Sequence, residues 1–397
     1  MDSKKYIQVN TPEYWKATIA LGIGSFLIFS NMHMAQPLLP LFSRDFGVSA
    51  ATSSLAVSMV TFSLSIFLLF FGPLSDAVGR KNIMSLGLLM SALFSIFIFF
   101  VPNFTALIIL RTFQGIFLAS LPAVAYAYIG EEFEGNSVGV VIGIYISGNS
   151  IGGMGGRIIS GYIADTFGWK YSFLIIGIIG LLSFALFSFL LPKSNNFKPK
   201  KLSRIKAAKA IIVHWKNPVL RKAYYIAGII FSIFIGLFNY LGYHLSGEPY
   251  NLSTTVIGLL YLTYIAGTFS STFSGHLAGA LTISTRVLLG LIMMFSGLVL
   301  MFFTPLILIF FGLIIMVFGF FFAHSAASSW VSYYAKEAKA SASALYLFSY
   351  YMGGSIGSFL LGYVWSPFGF LGVVAFTILL VLIGLITALK MKTIEKN

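Results

Sequence analysis

The chain has 397 residues, of which 58% are hydrophobic and only 9% carry a charged side chain. Soluble domains average roughly 25% charged residues, so this composition excludes soluble enzymes, disordered chains, collagens and disulfide scaffolds. The sequence contains no cysteine, which excludes disulfides, thiolate metal sites and cysteine nucleophiles. We predict an integral membrane protein whose formal net charge of +14 reflects membrane orientation rather than binding to nucleic acid.

The sequence divides into twelve apolar stretches, each long enough to cross about 30 Å of hydrocarbon as a helix. A β-barrel of the porin type would show short alternating segments, and these runs are continuous. The predicted helices cover 17–41, 50–71, 82–101, 104–129, 136–163, 170–191, 222–246, 253–279, 285–303, 305–332, 338–364 and 368–390.

Basic residues are distributed unevenly over the predicted connections. If both termini are cytoplasmic, 21 Lys and Arg residues lie on the cytoplasmic side, and only Arg44 and Lys170 lie on the other side. Cytoplasmic loops of membrane proteins carry an excess of Lys and Arg. We therefore predict a multi-pass protein of a cell membrane, expected to be the bacterial plasma membrane, with both termini in the cytoplasm.

One long hydrophilic interval separates predicted helices 6 and 7. The segment 193–222 contains ten basic residues and no acidic residue. It is either attracted to anionic lipid, at about 1 kcal/mol per basic residue, or serves only as a topological anchor. We divide the chain into a six-helix half at 1–191, a basic cytoplasmic linker at 192–221 and a second six-helix half at 222–397.

The two halves repeat one pattern. The glycine-rich segment 152–168 in and after helix 5 matches 353–369 in and after helix 11 at a spacing of 201 residues, and Tyr145 matches Tyr346 at the same spacing. Parallel repeats of this kind place a substrate path at their interface, where one half rocks against the other. We predict an all-α membrane fold of two six-helix pseudo-repeats, which is typical of a transporter rather than of a channel or an enzyme.

Three motifs resemble a known family. The segment 72–81 (GPLSDAVGRK) resembles the signature loop of the major facilitator superfamily, and 111–115 (RTFQG) resembles its Arg-x-x-Gln-Gly motif. The glycines of helix 5 are similar to the motif of its twelve-helix drug:proton antiporters and sugar-efflux proteins, with Gly153 where Pro is usual and Arg157 where the motif ends in Gly. The resemblance implies the major facilitator fold and a role in efflux.

The connection after helix 2 is expected to gate the transporter, and its two glycines are expected to allow a tight turn. A carboxylate is favourable at the N-terminus of a helix, and the resemblance implies that Asp76 contacts the start of helix 11 in the outward-facing form. Arg80 is expected to pair with Glu131 or Glu132. The alternative is a basic loop that only orients helices 2 and 3. The residues of this predicted gate are Gly72, Asp76, Gly79, Arg80 and Lys81.

The glycines of helix 5 are expected to allow close helix packing. Gly148, Gly152 and Gly156 recur every four residues, with Gly153 beside them, so one face of the helix lacks side chains. The same face could also form a pliable contact between the two halves that slides as the transporter switches.

Polar side chains inside the first half form the predicted site for substrate binding or proton coupling. An arginine in a membrane span costs about 2.5–3.5 kcal/mol on insertion scales. Counting 1.5 Å per residue from the helix ends places these side chains at one level of the outer half, where we expect a single cluster. In the alternative, Arg157 bonds Asp165 or reaches the membrane surface, and Arg111 bonds backbone carbonyls. The predicted site comprises His33, Gln36, Arg111, Gln114 and Arg157.

The second half offers weaker candidates for the same path: Asn239, Tyr240, His244 and His324. The resemblance implies that helices 1, 4, 7 and 10 line a central cavity, which places these residues along it. A lone histidine on an apolar helix is also commonly a packing residue.

The predicted function is secondary active transport, as proton-coupled efflux of a small neutral or anionic organic compound or amphipathic drug by alternating access. The alternative is an importer or facilitator of a small organic solute. No Gly-x-x-x-x-Gly-Lys-Ser/Thr motif occurs, and we expect no enzyme activity, cofactor or metal site. The expected partners are a small-molecule substrate, the lipid bilayer and protons, for which His33 is the candidate carrier. The chain is expected to act as a monomer.

Overall fold

The structure, a computed structural model, describes residues 6–197, 199 and 211–396. The regular secondary structure in these ranges is helical, apart from an isolated bridge between Ile7 and Phe133. Eleven helical segments of this part of the chain are long and apolar enough to cross a membrane. The last one, Lys339–Glu395, breaks at Gly369, whose φ of 58° is not helical. It therefore makes two crossings, and the predicted all-α fold with twelve spans is confirmed.

We label the spans α1 to α12 in chain order. They are α1 (Pro12–Phe46), α2 (Ala50–Val78), α3 (Arg80–Phe99), α4 (Phe104–Glu132), α5 (Gly135–Phe167), α6 (Trp169–Leu190), α7 (Pro218–Ser246), α8 (Thr254–Gly279), α9 (Ile283–Leu300), α10 (Leu306–Tyr334), α11 (339–368) and α12 (370–396).

The first span is interrupted near its end. An α-helix over Pro12–His33 is followed by a 3-10 turn over Gln36–Leu38 and a short helix over Leu39–Phe46. Pro37 lies inside this turn, and because proline has no N–H it cannot extend the helical hydrogen-bond ladder. The interruption presents the buried side chain of Gln36 beside α5 and α7.

Contacts between chain segments define two faces of the bundle. The face where the chain begins and ends, here called the terminal face, joins the N-terminal segment to the end of α4, with Ile7 N–H donating to Glu132 O at 2.8 Å. At the same face the carboxylate of Glu395 accepts the N–H groups of Ile283 and Ser284, which begin α9. The opposite face, here called the distal face, contains the contact of Trp169 Nε1 with Asp45 at 2.9 Å.

Glycines bring α5 against α1 and α11 against α7 in the same manner. A Cβ atom placed on Gly152 would lie 2.3 Å from Phe26 O, and one on Gly353 would lie 2.4 Å from the Cα of Gly228. Both glycines allow a backbone approach that any other residue would prevent. The equivalent packing in the two halves matches the repeat of 201 residues in the sequence.

The glycines of α5 do not join the two halves. Gly148 and Gly156, like Gly152, face α1 of their own half, at Gly22 O and Ser30 Cα respectively. The glycine of α5 that approaches the second half is Gly161, where a Cβ would lie 2.6 Å from Thr254 O at the start of α8. The expected sliding contact through Gly148, Gly152 and Gly156 is therefore not present in this arrangement.

The predicted linker 192–221 is described only at its two ends. Residues 198 and 200–210, with six of its basic side chains, lie outside the described residues, as do Lys4 and Lys5.

Candidate functional site

A chain of buried polar side chains crosses the boundary between the first six and the last six spans. Gln36 Nε2 of α1 donates to Asn239 Oδ1 of α7 at 2.7 Å. Asn239 Nδ2 in turn donates to Ser358 Oγ of α11 at 2.5 Å, and Ser58 Oγ of α2 donates to the same oxygen at 3.2 Å. All four side chains are buried, so the two halves are joined here by hydrogen bonds from which water is excluded.

Arg157 bonds Gln36, the first-half member of this row of hydrogen-bonded side chains. Its Nε donates to Gln36 Oε1 at 2.6 Å and its Nη1 donates to Gly153 O at 2.6 Å. From the second half, the rings of Tyr261 and Tyr264 lie under the guanidinium, with centroids 4.4 and 4.8 Å from Cζ. The faces of aromatic rings attract cations. Arg157 is therefore a fully buried cation held by residues of both halves.

Asp165 does not neutralise Arg157. Its carboxylate accepts the N–H groups of Thr254 and Thr255, at 3.1 and 2.6 Å, and the hydroxyl of Thr255 at 2.5 Å. These groups begin α8, where the helix dipole favours a negative charge. Asp165 thus closes the distal face by capping a helix of the other half, and the expected alternative of an Arg157–Asp165 pair is not found.

Arg111 and Gln114 form a second buried cluster within the first half. Arg111 Nε donates to Ala56 O at 2.9 Å, and its other nitrogens donate to the carbonyls of Asn31 and Met32 and to Gln114 Oε1. Gln114 Nε2 also donates to Ser95 Oγ at 2.7 Å. This guanidinium is paired with carbonyl oxygens, which is the arrangement given above as the alternative for Arg111.

The single polar cluster expected from the sequence is thus two clusters. Arg111 and Gln114 contact α1, α2 and α3, whereas Arg157 and Gln36 face the second half. Residue counts predict how deep a side chain lies along its helix, but the direction in which it points depends on tertiary packing. Arg111 and Arg157 point in different directions, so they belong to different clusters.

His33 lies beside the Arg157 cluster. A Cβ atom on Gly153 would be 3.5 Å from Arg157 Nη1 and 3.6 Å from His33 Cδ2, so Gly153 leaves space between the two side chains instead of packing against a helix. His33 is 6% exposed, and its Nδ1 atom has no hydrogen-bond partner in the described part of the chain.

The gate residues lie on the terminal face. Arg80 pairs with Asp76 at 2.5 Å and with both carboxylate oxygens of Glu131, at 2.7 and 3.1 Å. Of the two expected partners it therefore takes Glu131, while Glu132 accepts the N–H groups that follow α6. Lys81 Nζ bonds carbonyls at the end of α6.

One expectation for this gate differs from the structure, and another concerns the outward-facing form. Gly72 lies inside α2, which continues to Val78, and the turn is made by Gly79 alone with its φ of 110°. In this arrangement Asp76 pairs with Arg80 of its own half. The contact of Asp76 with the start of α11 is expected in the outward-facing form and stays a prediction.

Hydrogen bonds between the halves occur only toward the distal face in the described ranges. Besides the contacts above, Tyr243 OH donates to Leu39 O at 2.9 Å and Ser355 Oγ donates to Ser58 O at 2.7 Å. On the terminal face, no hydrogen bond or ion pair joins the two halves among the residues that the structure describes. In the described part of the chain, the hydrogen bonds that hold the halves together therefore lie toward the distal face.

Of the weaker second-half candidates, Asn239 belongs to the site and the others pack among aromatic rings. His324 Nδ1 bonds Tyr346 OH at 3.0 Å, and His244 stacks on Phe370 with centroids 4.3 Å apart. Tyr240 OH donates to Ser358 O at 2.9 Å.

Sequence reasoning missed several site residues: Asn31, Ser58, Tyr261, Tyr264 and Ser358. Serine is common in membrane helices, where it bonds its own backbone, so Ser58 and Ser358 carry no individual signal. The spacing of Tyr261 and Tyr264 places both on one helical face, which is a usable signal.

A sequence profile of the Major Facilitator Superfamily matches residues 21–358. The chain belongs to the Major Facilitator Superfamily. Members of this family are transporters, and the resemblance noted from the motifs is thereby confirmed. The chain is similar to a transporter of Buchnera aphidicola (subspecies Schizaphis graminum), with 39% identity over 96% of this chain and 93% of that protein.

Two bacterial relatives and one solved structure extend the comparison. The inner membrane transport protein YnfM of Escherichia coli is 39% identical over 98% of this chain and 93% of its own length. A bicyclomycin resistance protein homolog of Haemophilus influenzae is 26% identical over 71% of this chain and 73% of that protein. A bacterial homolog of the human lysosomal transporter Spinster has the same fold, with a TM-score of 0.81, 16% identity and coverage of 98% of both chains. This protein is therefore a multi-pass membrane transporter.

Proposed function

We propose that this protein exports a small neutral or anionic organic compound, or an amphipathic drug of that charge, by proton-coupled secondary active transport. The terminal face is proposed to be cytoplasmic, as the 21-to-2 distribution of basic residues indicates. With that orientation, the hydrogen bonds between the halves lie on the side away from the cytoplasm, and we propose that this arrangement opens to the cytoplasm, from which an exporter takes its substrate. The resistance protein homolog supports the direction of transport.

The observation that carries the proposed charge of the substrate is the imbalance inside the membrane. All eleven acidic residues of the sequence lie outside the spans or within three residues of a span end. Arg111 and Arg157 lie inside α4 and α5 and are fully buried. A buried positive site attracts anions and repels cations, and low-dielectric walls strengthen that preference. A permanently cationic substrate would therefore be disfavoured.

Proton coupling is proposed to involve His33, with Gln36 and Arg157 as neighbours that respond to its charge. A histidine ring nitrogen can accept and release a proton, and the carboxylates within the spans all lie within three residues of a span end. The residues 72–81 around Asp76 are proposed to stabilise the opposite, outward-facing form. The chain is proposed to act as a monomer with one half on each side of the substrate path.

Transport in proteoliposomes tests the proposed function. Purified protein is reconstituted with a proton gradient, and uptake of organic anions, neutral drugs and a quaternary ammonium dye is compared. We expect gradient-driven movement of an anionic or neutral compound and none of the dye. Robust movement of the dye alone would contradict the proposed charge preference, and gradient-independent equilibration would favour the alternative of a facilitator.

A further inference from the structure

Three buried polar atoms around Arg157 have no hydrogen-bond partner among the described residues. They are Arg157 Nη2, Tyr264 Oη and His33 Nδ1. The three side chains are neighbours, since the guanidinium of Arg157 lies over the ring of Tyr264 and Gly153 leaves a gap between Arg157 and His33. Buried polar groups are normally hydrogen-bonded, so three adjacent groups without such a bond form a candidate ligand site.

A ligand that binds these three groups must accept hydrogen bonds. Guanidinium nitrogens only donate, and a tyrosine hydroxyl or an imidazole nitrogen can also donate. The guanidinium lies over the rings of Tyr261 and Tyr264 and also interacts with their hydroxyls, and its Nη2 has no well-formed hydrogen bond among the described residues. A buried cation without a counter-charge is unfavourable. An oxyanion would satisfy both the donors and the charge.

The charge available limits the anion to a single negative charge. Among the described residues Arg157 is the one guanidinium at this boundary, and its Nε and one Nη1 hydrogen are already bonded. Arg111 faces its own half and is bonded through all three of its nitrogens. A phosphate dianion would therefore remain half neutralised, whereas a carboxylate or sulfonate matches the single cation.

The surroundings indicate what the rest of the ligand is. From Tyr264 an aromatic cluster extends into the second half, through Phe234 with its centroid 5.3 Å away and Phe320 stacked on Phe234 at 3.9 Å. Tyr350 continues this cluster beside Phe320. Aromatic side chains beside a few polar groups are typical of the lining of small-molecule sites.

We propose that Arg157, with Tyr264 and His33, binds the oxyanion of an amphipathic organic acid whose apolar body lies against the aromatic cluster of Tyr264, Phe234, Phe320 and Tyr350. This inference rests on the proposed function and specifies its substrate class. Because Arg157 contacts both halves, an acid bound there lies where the halves separate during transport.

Binding to the purified full chain in detergent tests this site. The probes are naphthalene-2-acetate, the matching neutral amide and the matching amine, measured by titration calorimetry. We expect the acid to bind and the amide and amine to bind at least about tenfold more weakly, because a charge-assisted hydrogen bond is lost. Equal binding of acid and amide, or no binding of the acid, would overturn the proposal.

Variants separate ligand binding from folding. Tyr264→Phe removes an unpartnered hydroxyl and should weaken binding of naphthalene-2-acetate several-fold without lowering the melting temperature. Arg157→Gln should abolish binding, and Arg157→Lys should retain part of it because it keeps the charge but loses the planar fork. Arg286→Gln is the matched control, since Arg286 is a buried arginine that bonds Ser274 O on the terminal face. Native affinity in Arg157→Gln and Tyr264→Phe would overturn the proposal.

The outcomes also distinguish this inference from the proposed function. If the protein moves neutral compounds along a proton gradient but binds no acid, the proposed acid-binding site is contradicted and the proposed export function is supported. If it binds the acid at Arg157 but transports nothing, the export function is contradicted and the acid-binding site is supported.

Discussion

Gln36 of α1 and Asn239 of α7 share a 2.7 Å hydrogen bond across the boundary between the two halves. The same Gln36 accepts from Arg157 at 2.6 Å, so the latch between the halves is linked directly to the buried cation. A change in the environment of Arg157, by protonation of a neighbour or by a bound anion, therefore acts on the contact that holds the distal face closed.

Removing the charge of Asp165 is expected to weaken closure of the distal face. A carboxylate at a helix N-terminus contributes about 0.3–1 kcal/mol, and up to about 2 kcal/mol in partly buried geometry. In Asp165→Asn, cysteines at Pro102 and Thr304, exposed on the distal face of either half, should report longer distances by electron–electron double resonance. The sequence has no native cysteine to interfere.

Asp45→Asn is the matched control for Asp165. Asp45 also lies near the distal face, but it bonds Arg44 and Trp169 of its own half. The same lengthening in both variants would mean that the charge of the distal face, and not the cap on α8, controls closure.

Asp76→Asn is expected to reduce transport strongly at nearly native membrane abundance. In this arrangement Asp76 is about one-third exposed and its partner Arg80 keeps Glu131, so the fold loses little. The opposite arrangement is proposed to need the carboxylate at the start of α11. Transport at the native rate in Asp76→Asn would remove the gating role.

Much of the fold was predictable from the sequence because lipid imposes a minimum length of apolar helix. Each predicted span overlaps an observed one, and the ends differ by up to seven residues where helices continue beyond the hydrocarbon, as at Val78 and Phe46. The prediction of a turn at Gly72 was wrong because a helix can contain a glycine and Pro73 without ending. Gly79 ends the helix through its positive φ.

The candidate site was predictable only in part. The rarity of arginine in spans identified Arg111 and Arg157, since each requires compensation inside the membrane. Their partners were not predictable, because hydrogen bonds such as Asn239 to Ser358 depend on which helices face each other, and that is set by packing across the whole bundle.

Gly152→Ala is expected to destabilise the protein, whereas Gly143→Ala should not. A Cβ on Gly152 would lie 2.3 Å from Phe26 O, which requires α1 and α5 to move apart, at a cost of about 1–3 kcal/mol. Nothing lies within 4 Å of a Cβ on Gly143 of the same helix, so alanine there gains helix propensity. Melting temperatures of the two variants in detergent test this prediction. A native value for Gly152→Ala would contradict the close packing.

Arg111→Gln is expected to act on stability before transport. It removes the hydrogen bonds that Arg111 donates to the carbonyls of Ala56, Asn31 and Met32, and a hydrogen bond from a charged group contributes about 1.5–3 kcal/mol. A melting temperature several degrees below that of the native chain should result. Native stability with lost transport would instead assign Arg111 to the transport cycle.

The most direct test of the alternating latch is Asn239→Leu, with Asn149→Leu as its control. Asn149 bonds Ser25 inside the first half, so the two substitutions remove similar groups and only Asn239 joins the halves. Distances are measured between cysteines at Pro102 and Thr304 on the distal face and at Val78 and Gly279 on the terminal face. Each reporter position is exposed.

Loss of a hydrogen bond worth about 1 kcal/mol changes a conformational ratio about fivefold. We predict that Asn239→Leu lengthens the distal distance and shortens the terminal distance in a larger share of molecules, while Asn149→Leu leaves both distributions native. Unchanged distributions in Asn239→Leu, or lengthening of both distances together, would contradict the account.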